Sequence, residues 1–168
     1  MSEPRTISAP GSGQVIRIIS ETPELLVLES DYPAATPSPP PHLHPFQDEH
    51  FEVLSGVVHA VVDGRSRVLA EGDTLDIPRG TVHEFGGMPE EAGTVRWEVR
   101  PALQTADFLR TVNKWSDPQT GRPSQLQAIL TAREFSKEFR LAEPGRAVQV
   151  LLFTLLAPIA RLKGLKPR

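Results

Sequence analysis

The hydrophobic period of this chain changes once, and that change divides what the chain can fold into. Up to Pro101 the apolar residues come in short runs rich in β-branched side chains, at 15–19, 25–28, 51–54, 57–62, 67–70, 74–77, 81–85 and 94–99. Runs of that length, separated by turn residues, suit strands and not helices. Asp63-Gly64 lies between two of them and predicts a two-residue hairpin, because both residue types tolerate the positive φ of a tight turn. Eight or more such strands predict a β-sandwich or barrel. Residues 33–45 hold six of the 17 prolines. Proline cannot donate to a sheet ladder, so this stretch is expected to be extended and loop-like.

After Pro101 the apolar residues recur at helical spacing. Thr105 is placed to cap a helix with Phe108, Leu109, Val112 and Trp115 on one face. Ser124 with Gln127 forms a capping-box pattern that opens a second helix, with Leu126, Ile129, Leu130 and Phe139 among its apolar positions, until Pro144-Gly145 breaks it. A third helix carries Val148, Leu151, Leu152, Leu155, Ile159 and Leu162 as a broad apolar stripe. That stripe is expected to pack on the first helix, on the barrel exterior or on a second copy of the chain, and not to line the site described below. The expected organisation is a barrel over 1–101 and a helical extension over 102–168 that packs on the barrel or on a partner subunit.

Several functions are excluded at once. The chain has no cysteine, which removes disulfide scaffolds, thiolate zinc sites, iron–sulfur clusters and cysteine nucleophiles. A net charge of −3 over 168 residues argues against nucleic acid as a partner. The amino-terminal residues show no apolar run behind a basic cluster. The longest uncharged stretch free of histidine, 147–160, is 14 residues and contains Gln149, Thr154 and Pro158. That is short of the ~20 residues needed to span a bilayer. A soluble, cytoplasmic protein is expected.

Three histidines and a carboxylate carry the chemistry. His42 and His44 alternate along an extended segment, so they leave the same face. Glu49 follows beyond Pro45, which gives the chain room to bring the carboxylate back to that face, and His83 opens a later strand. Imidazoles with one carboxylate suit a divalent first-row transition metal and leave about two positions of an octahedron for water, oxygen or substrate.

The spacing resembles that of the cupin superfamily. His42-Leu43-His44, four residues, Glu49, six residues and Gly56 are similar to its first motif. Gly72, five residues, Pro78-Arg79-Gly80, two residues and His83 are similar to its second. The 15 residues between them, 57–71, match compact bacterial members. Thr36 stands where the pattern opens on glycine, and Gly87 where it closes on asparagine. The resemblance covers about residues 40–100. It implies a jelly-roll barrel that binds Fe, Mn, Ni, Zn, Co or Cu through His42, His44, Glu49 and His83. Asp48 is the alternative carboxylate under the shorter spacing, and Glu49 is preferred because it keeps the six-residue gap to Gly56.

Around this set, period-two alternation sends Phe51 and Val53 inward with Glu49, as pocket or core wall. On the last strand Arg96, Glu98 and Arg100 share one face, and Val95, Trp97 and Val99 share the other. If the charged face lined the barrel, Arg96 would clamp a substrate carboxylate or phosphate; otherwise these charges meet water. Beyond the ligands, His59 and Glu98 are the candidate acid–base residues, with Glu49. The resemblance implies a metal-dependent enzyme on a small organic substrate, dioxygenase-like with Fe(II) or a similar metal. The alternatives are a non-catalytic barrel holding a metal and a small molecule, and a Lewis-acid isomerase or polyketide cyclase. Exposed sheet edges and the helical stripe predict a two-fold homodimer.

Overall fold

The computed structural model describes residues 5–167, so the first four residues of the amino-terminal segment lie outside it. In chain order it comprises β1 (Thr6–Ser8), β2 (Val15–Glu21), β3 (Leu26–Tyr32), β4 (His42–Leu43), β5 (Asp48–Val62), β6 (Arg65–Ala70), β7 (Thr74–Ile77), β8 (His83–Gly87), β9 (Gly93–Arg100), α1 (Thr105–Trp115), α2 (Gln125–Glu134), β10 (Arg140–Leu141) and α3 (Arg146–Leu162). All ten strands pair antiparallel. The fold is the expected one, a mainly β jelly-roll followed by three helices.

The runs at 51–54 and 57–62 belong to one strand, β5, whose register shifts between Val53 and Ser55. The first half of β5 pairs with β7 and β9, and its second half pairs with β6 and β8. One strand therefore belongs to both sheets and closes them over a common interior. Gly56 makes the bend: its φ is +69°, and a Cβ there would stand 2.0 Å from the Ala92 carbonyl oxygen. The hairpin at Asp63-Gly64 forms as expected, with both residues at positive φ. Residues 33–41 carry no strand, as their prolines require.

Alternation places the core. Phe51, Val53, Val58, Ala60, Phe85 and Val95 fill the barrel. Ile16, Ile18, Leu26, Leu28 and Val99 form a second cluster that reaches Ala102 and Ala106, so α1 is fastened to the barrel. A third cluster, Leu130 with Ala157 and Ala160, joins α2 to α3.

The helical half differs from expectation at three points. Gln104, and not Thr105, is the N-cap of α1; Thr105 is buried in the first turn, where its hydroxyl accepts a hydrogen bond from Gln47 Nε2 at 2.7 Å. Ser124 does cap α2, accepting from the Gln127 backbone N–H at 3.3 Å, but α2 ends at Glu134. Phe139 is therefore not a helix residue, and the chain turns back through β10 to pair with β4. Finally, α3 meets α2 through Ala157 and Ala160, while Gln149 donates to the Leu141 and Pro144 carbonyls, and the expected stripe of Val148, Leu151, Leu152, Leu155, Ile159 and Leu162 lies exposed. Small residues let the two helix backbones approach closely, so the larger side chains end on the far side. The stripe packs neither on α1 nor on the barrel.

Two alanine substitutions separate the constraints at the bends. Gly64 also has a positive φ, +74°, but a Cβ there meets nothing within 4 Å. Gly64→Ala should cost about 1–2 kcal/mol, the left-handed backbone penalty alone. Gly56→Ala, which adds a clash with backbone, should cost more than about 3 kcal/mol or prevent folding. Urea unfolding midpoints check this; equal costs at the two positions would show that the close approach at Gly56 imposes nothing.

Candidate metal centre

Three imidazoles converge where the two sheets meet at one end of the barrel. His42 and His83 are register partners on β4 and β8, and His44 follows β4 by one residue. Their ligand nitrogens lie within 4.8 Å of one another, and all three side chains are buried. Glu49 arrives from the other arm of β5, with its Oε2 at 3.0 Å from His83 Nε2 and 3.3 Å from His44 Nε2.

The orientation of each ring follows from hydrogen bonding. His42 Nδ1 donates to the Pro40 carbonyl at 2.8 Å, His83 Nδ1 to the Thr81 carbonyl at 3.0 Å, and His44 Nδ1 to the Glu138 carbonyl. A carbonyl oxygen can only accept, so each Nδ1 must carry the proton. That turns each Nε2 away from its carbonyl, and those of His44 and His83 face Glu49. Glu49 is held in the same way: Trp97 Nε1 donates to its Oε1 at 2.9 Å, which leaves Oε2 for the histidine side.

The electrostatics suit a cation. Burial pushes the His42 imidazole down to about 3, reinforced by His83 and His44 beside it, so this ring is neutral and its lone pair is available. Burial pushes the Glu49 carboxyl up, but the neighbouring His44 and His83 outweigh it and hold it below the usual range, as a carboxylate. Burial likewise draws His83 down, and its bond to Glu49 more than reverses that. His44 Nε2 and Glu49 Oε2 are buried without a hydrogen-bond partner among the described residues. Orphaned donor atoms of this kind, three imidazoles beside one carboxylate, fit a divalent transition metal.

The other candidates fall elsewhere. Phe51 and Val53 point inward as expected and are core: Phe51 stacks on Phe85 at 4.2 Å and on Trp97 at 5.7 Å. Arg96 and Glu98 lie on the outer face, where Glu98 pairs with Arg100 at 2.7 Å and with Arg96 at 3.9 Å. The β5–β9 register sets this, because Phe51 opposes Trp97 and Glu52 opposes Arg96. Arg96 therefore does not reach the interior. His59 is on the outside of β5, with its Nε2 at 2.7 Å from Ser66 Oγ. Asp48 is bound to Arg79 on the surface and does not compete with Glu49.

Three contributors were not anticipated from the sequence. Trp97 was placed on the apolar face but not as the Glu49 donor; its position two residues before Val99, the register partner of Glu49, is the signal that could have found it. Glu138 supplies a backbone carbonyl, which no side-chain pattern announces. Phe139 stacks on His42 with ring centroids 4.7 Å apart and meets His44 edge-on at 6.3 Å. Long-range proton–nitrogen NMR spectra should find the proton of His42 and of His44 on Nδ1; an Nε2–H tautomer at either would refute the carbonyl-held orientation.

Comparisons with known proteins agree with this architecture. The oxidoreductase iacF of Pestalotiopsis fici is 35% identical over 114 residues, covering 61% of this chain and 56% of that protein. The probable oxidoreductase patJ of Penicillium expansum is 39% identical over 64 residues, 38% of this chain and 20% of that protein. The chain thus spans about half of the first relative and a fifth of the second. Among solved structures, an RmlC-like cupin from Shewanella frigidimarina superposes with a TM-score of 0.53 at 23% identity, over 60% of this chain and 86% of that one. KdgF from Halomonas sp. superposes with a TM-score of 0.51 at 23% identity, over 56% and 85%. At that identity the likeness is one of fold. Residues 28–97 match the cupin domain family model, and with the jelly-roll and the two histidine motifs in place, that stretch of the chain is a cupin domain.

Proposed function

We propose that this protein is a metal-dependent oxidoreductase, dioxygenase-like, acting on a small organic molecule with an ion held by His42, His44, His83 and Glu49. The observation that carries this reading is the convergence of three imidazoles, each oriented by a backbone carbonyl, beside a buried carboxylate. The names of the two fungal relatives favour redox chemistry over isomerisation or cyclisation. Iron, manganese, nickel, zinc, cobalt or copper bound there supplies Lewis acidity and, for the redox-active members, one-electron chemistry. The chain's own part is to present three imidazole Nε2 atoms at fixed positions and to keep Glu49 ionised. Trp97 steers the Glu49 carboxylate, and the Phe51, Phe85 and Trp97 stack makes the interior wall aromatic and apolar.

A second reading, a barrel that holds a metal and a small molecule without turnover, is favoured by one feature. The histidines are at most 6% exposed and Phe139 covers His42, which restricts access. Elemental analysis of protein purified without a histidine tag should find one divalent transition metal per chain, and His44→Ala should lose it. Trp97→Phe should weaken metal affinity by roughly 10- to 100-fold, as loss of a ligand's supporting hydrogen bond does. Oxygen uptake by iron-loaded protein on addition of a metabolite pool supports the oxidoreductase reading. Metal retention without turnover supports the second, and absence of metal after loading refutes both.

The assembly proposed is a two-fold homodimer through α3. Val148, Leu152, Leu155, Ile159 and Leu162 follow one another at alternating intervals of four and three residues, the spacing of a coiled-coil seam, and all are exposed. Light scattering at micromolar concentration should give twice the chain mass, and Leu155→Lys should give the monomer. A monomeric parent protein would overturn this assembly.

A further inference from the structure

Two of the three histidine-orienting bonds are local, and the third is not. Pro40 and Thr81 stand two residues from His42 and His83, so those carbonyls come with the loops that carry the rings. The carbonyl that orients His44 belongs to Glu138, 94 residues away. A complete set of oriented imidazoles therefore exists only when the carboxy-terminal segment is docked. We infer that Glu138 and Phe139 are working parts of the metal centre, Glu138 as the positioning residue for His44 and Phe139 as the cover of the His42 side. The inference rests on the metal-binding reading above.

The segment that delivers these residues is fastened on both sides. Phe135 is fully buried and packs on Phe108 at 5.6 Å, and Phe108 stacks on Phe139 at 5.1 Å. Glu138 is buried, and its Oε1 accepts the Gln104 backbone N–H at 3.2 Å, just ahead of α1. Beyond Phe139, β10 pairs Arg140 with Leu43 and Leu141 with His42, and the Ala142 N–H reaches the Pro41 carbonyl at 2.8 Å. A side chain held on a path of this kind keeps its place without mobility of its own.

Phe139 has no polar atom, so it can neither ligate nor transfer a proton. What it does is displace water from the face of the His42 ring and lower the local polarity, which governs how readily ions and small ligands enter and leave. Its ring is itself only half-buried, so it separates the imidazoles from solvent with a single aromatic layer. Any ligand approaching past His42 must move it.

The test uses full-length protein loaded with Co(II), whose ligand imidazole N–H protons are displaced in NMR spectra by the unpaired electrons. Phe139→Ala should hand its cobalt to an excess of chelator about tenfold faster than the parent, while Phe139→Tyr, which keeps the ring, stays near the parental rate. Glu138→Ala, which removes the anchor at Gln104, should speed solvent exchange of the His44 N–H and leave that of His83, held locally by Thr81, unchanged. Glu138→Gln, which keeps an acceptor there, should restore slow exchange at His44. Parental release from Phe139→Ala would overturn the cover. Exchange that quickens equally at His44 and His83, or at neither, would overturn the positioning role. If the Ala variants do not fold, the decision falls to Phe139→Leu, for which parental release again overturns the cover, and to Glu138→Leu, in which His44 exchange that quickens relative to His83 supports the positioning role and an unchanged ratio overturns it. A parent that retains no cobalt would overturn the metal reading and this inference with it.

Discussion

A strand that is hydrogen-bonded into two sheets has to bend without losing its ladder, and β5 does so at Gly56. Its first arm supplies Glu49 to one sheet, and its second arm holds β8, and through β8 the two histidines of the motif pair His42 and His83. The distance between carboxylate and imidazoles is therefore set by the geometry of one bend. The register shift between Val53 and Ser55 and the approach of the Ala92 carbonyl to Gly56 are the local price of joining the sheets there. A side chain at position 56 would push the arms apart, and Glu49 would leave the histidines.

Once Glu49 is inside the barrel, the rest of the site answers to its charge. Burying a lone carboxylate costs far more than a hydrogen bond returns, unless opposite charge and donors surround it. Here the Trp97 indole donates to Oε1, and the His83 and His44 Nε2 atoms stand 3.0 and 3.3 Å from Oε2, where a shared cation would meet its charge. The carbonyl bonds at Nδ1 turn the rings so that their second nitrogens face inward, where a cation would complete them. Packing and electrostatics thus require the same arrangement, since the Phe51, Phe85 and Trp97 stack that fills the core also aims the indole.

What could be read from the residues was whatever depends on near neighbours. Period-two runs located the long strands, Asp63-Gly64 located a hairpin, and motif spacing brought His42, His44, Glu49 and His83 to one place. The shortest strands, β1, β4 and β10, escaped because two or three residues carry no period. Phe139 looked like a helix position because no proline or glycine interrupts the run from Gln125 to Pro144. Tertiary contact decided otherwise, as its ring has more to gain on His42 and Phe108 than in a prolonged α2. The stripe on α3 was read correctly as apolar, but its direction depended on which face could approach α2 more closely. That face is Ala157 and Ala160, and relative size across a helix is a weak signal in a single sequence.

The two departures from the family pattern explain each other in the same physical terms. Thr36 and Gly87 are distant in sequence, yet the Gly87 N–H donates to the Thr36 carbonyl at 3.1 Å. Thr36 Oγ1 in turn donates to the Pro33 carbonyl at 2.7 Å, which fixes that oxygen next to residue 87. A Cβ at 87 would then stand 2.8 Å from the Pro33 oxygen and 3.2 Å from Thr36 Cβ, closer than backbone can accommodate without moving. With threonine at the first position, the second has room only for glycine. The Thr36 backbone N–H also holds the Pro33 carbonyl, at 3.1 Å, so backbone and side chain of residue 36 both fix the oxygen that a Cβ at 87 would meet. The two positions therefore meet in one local contact at the far end of β8 from His83.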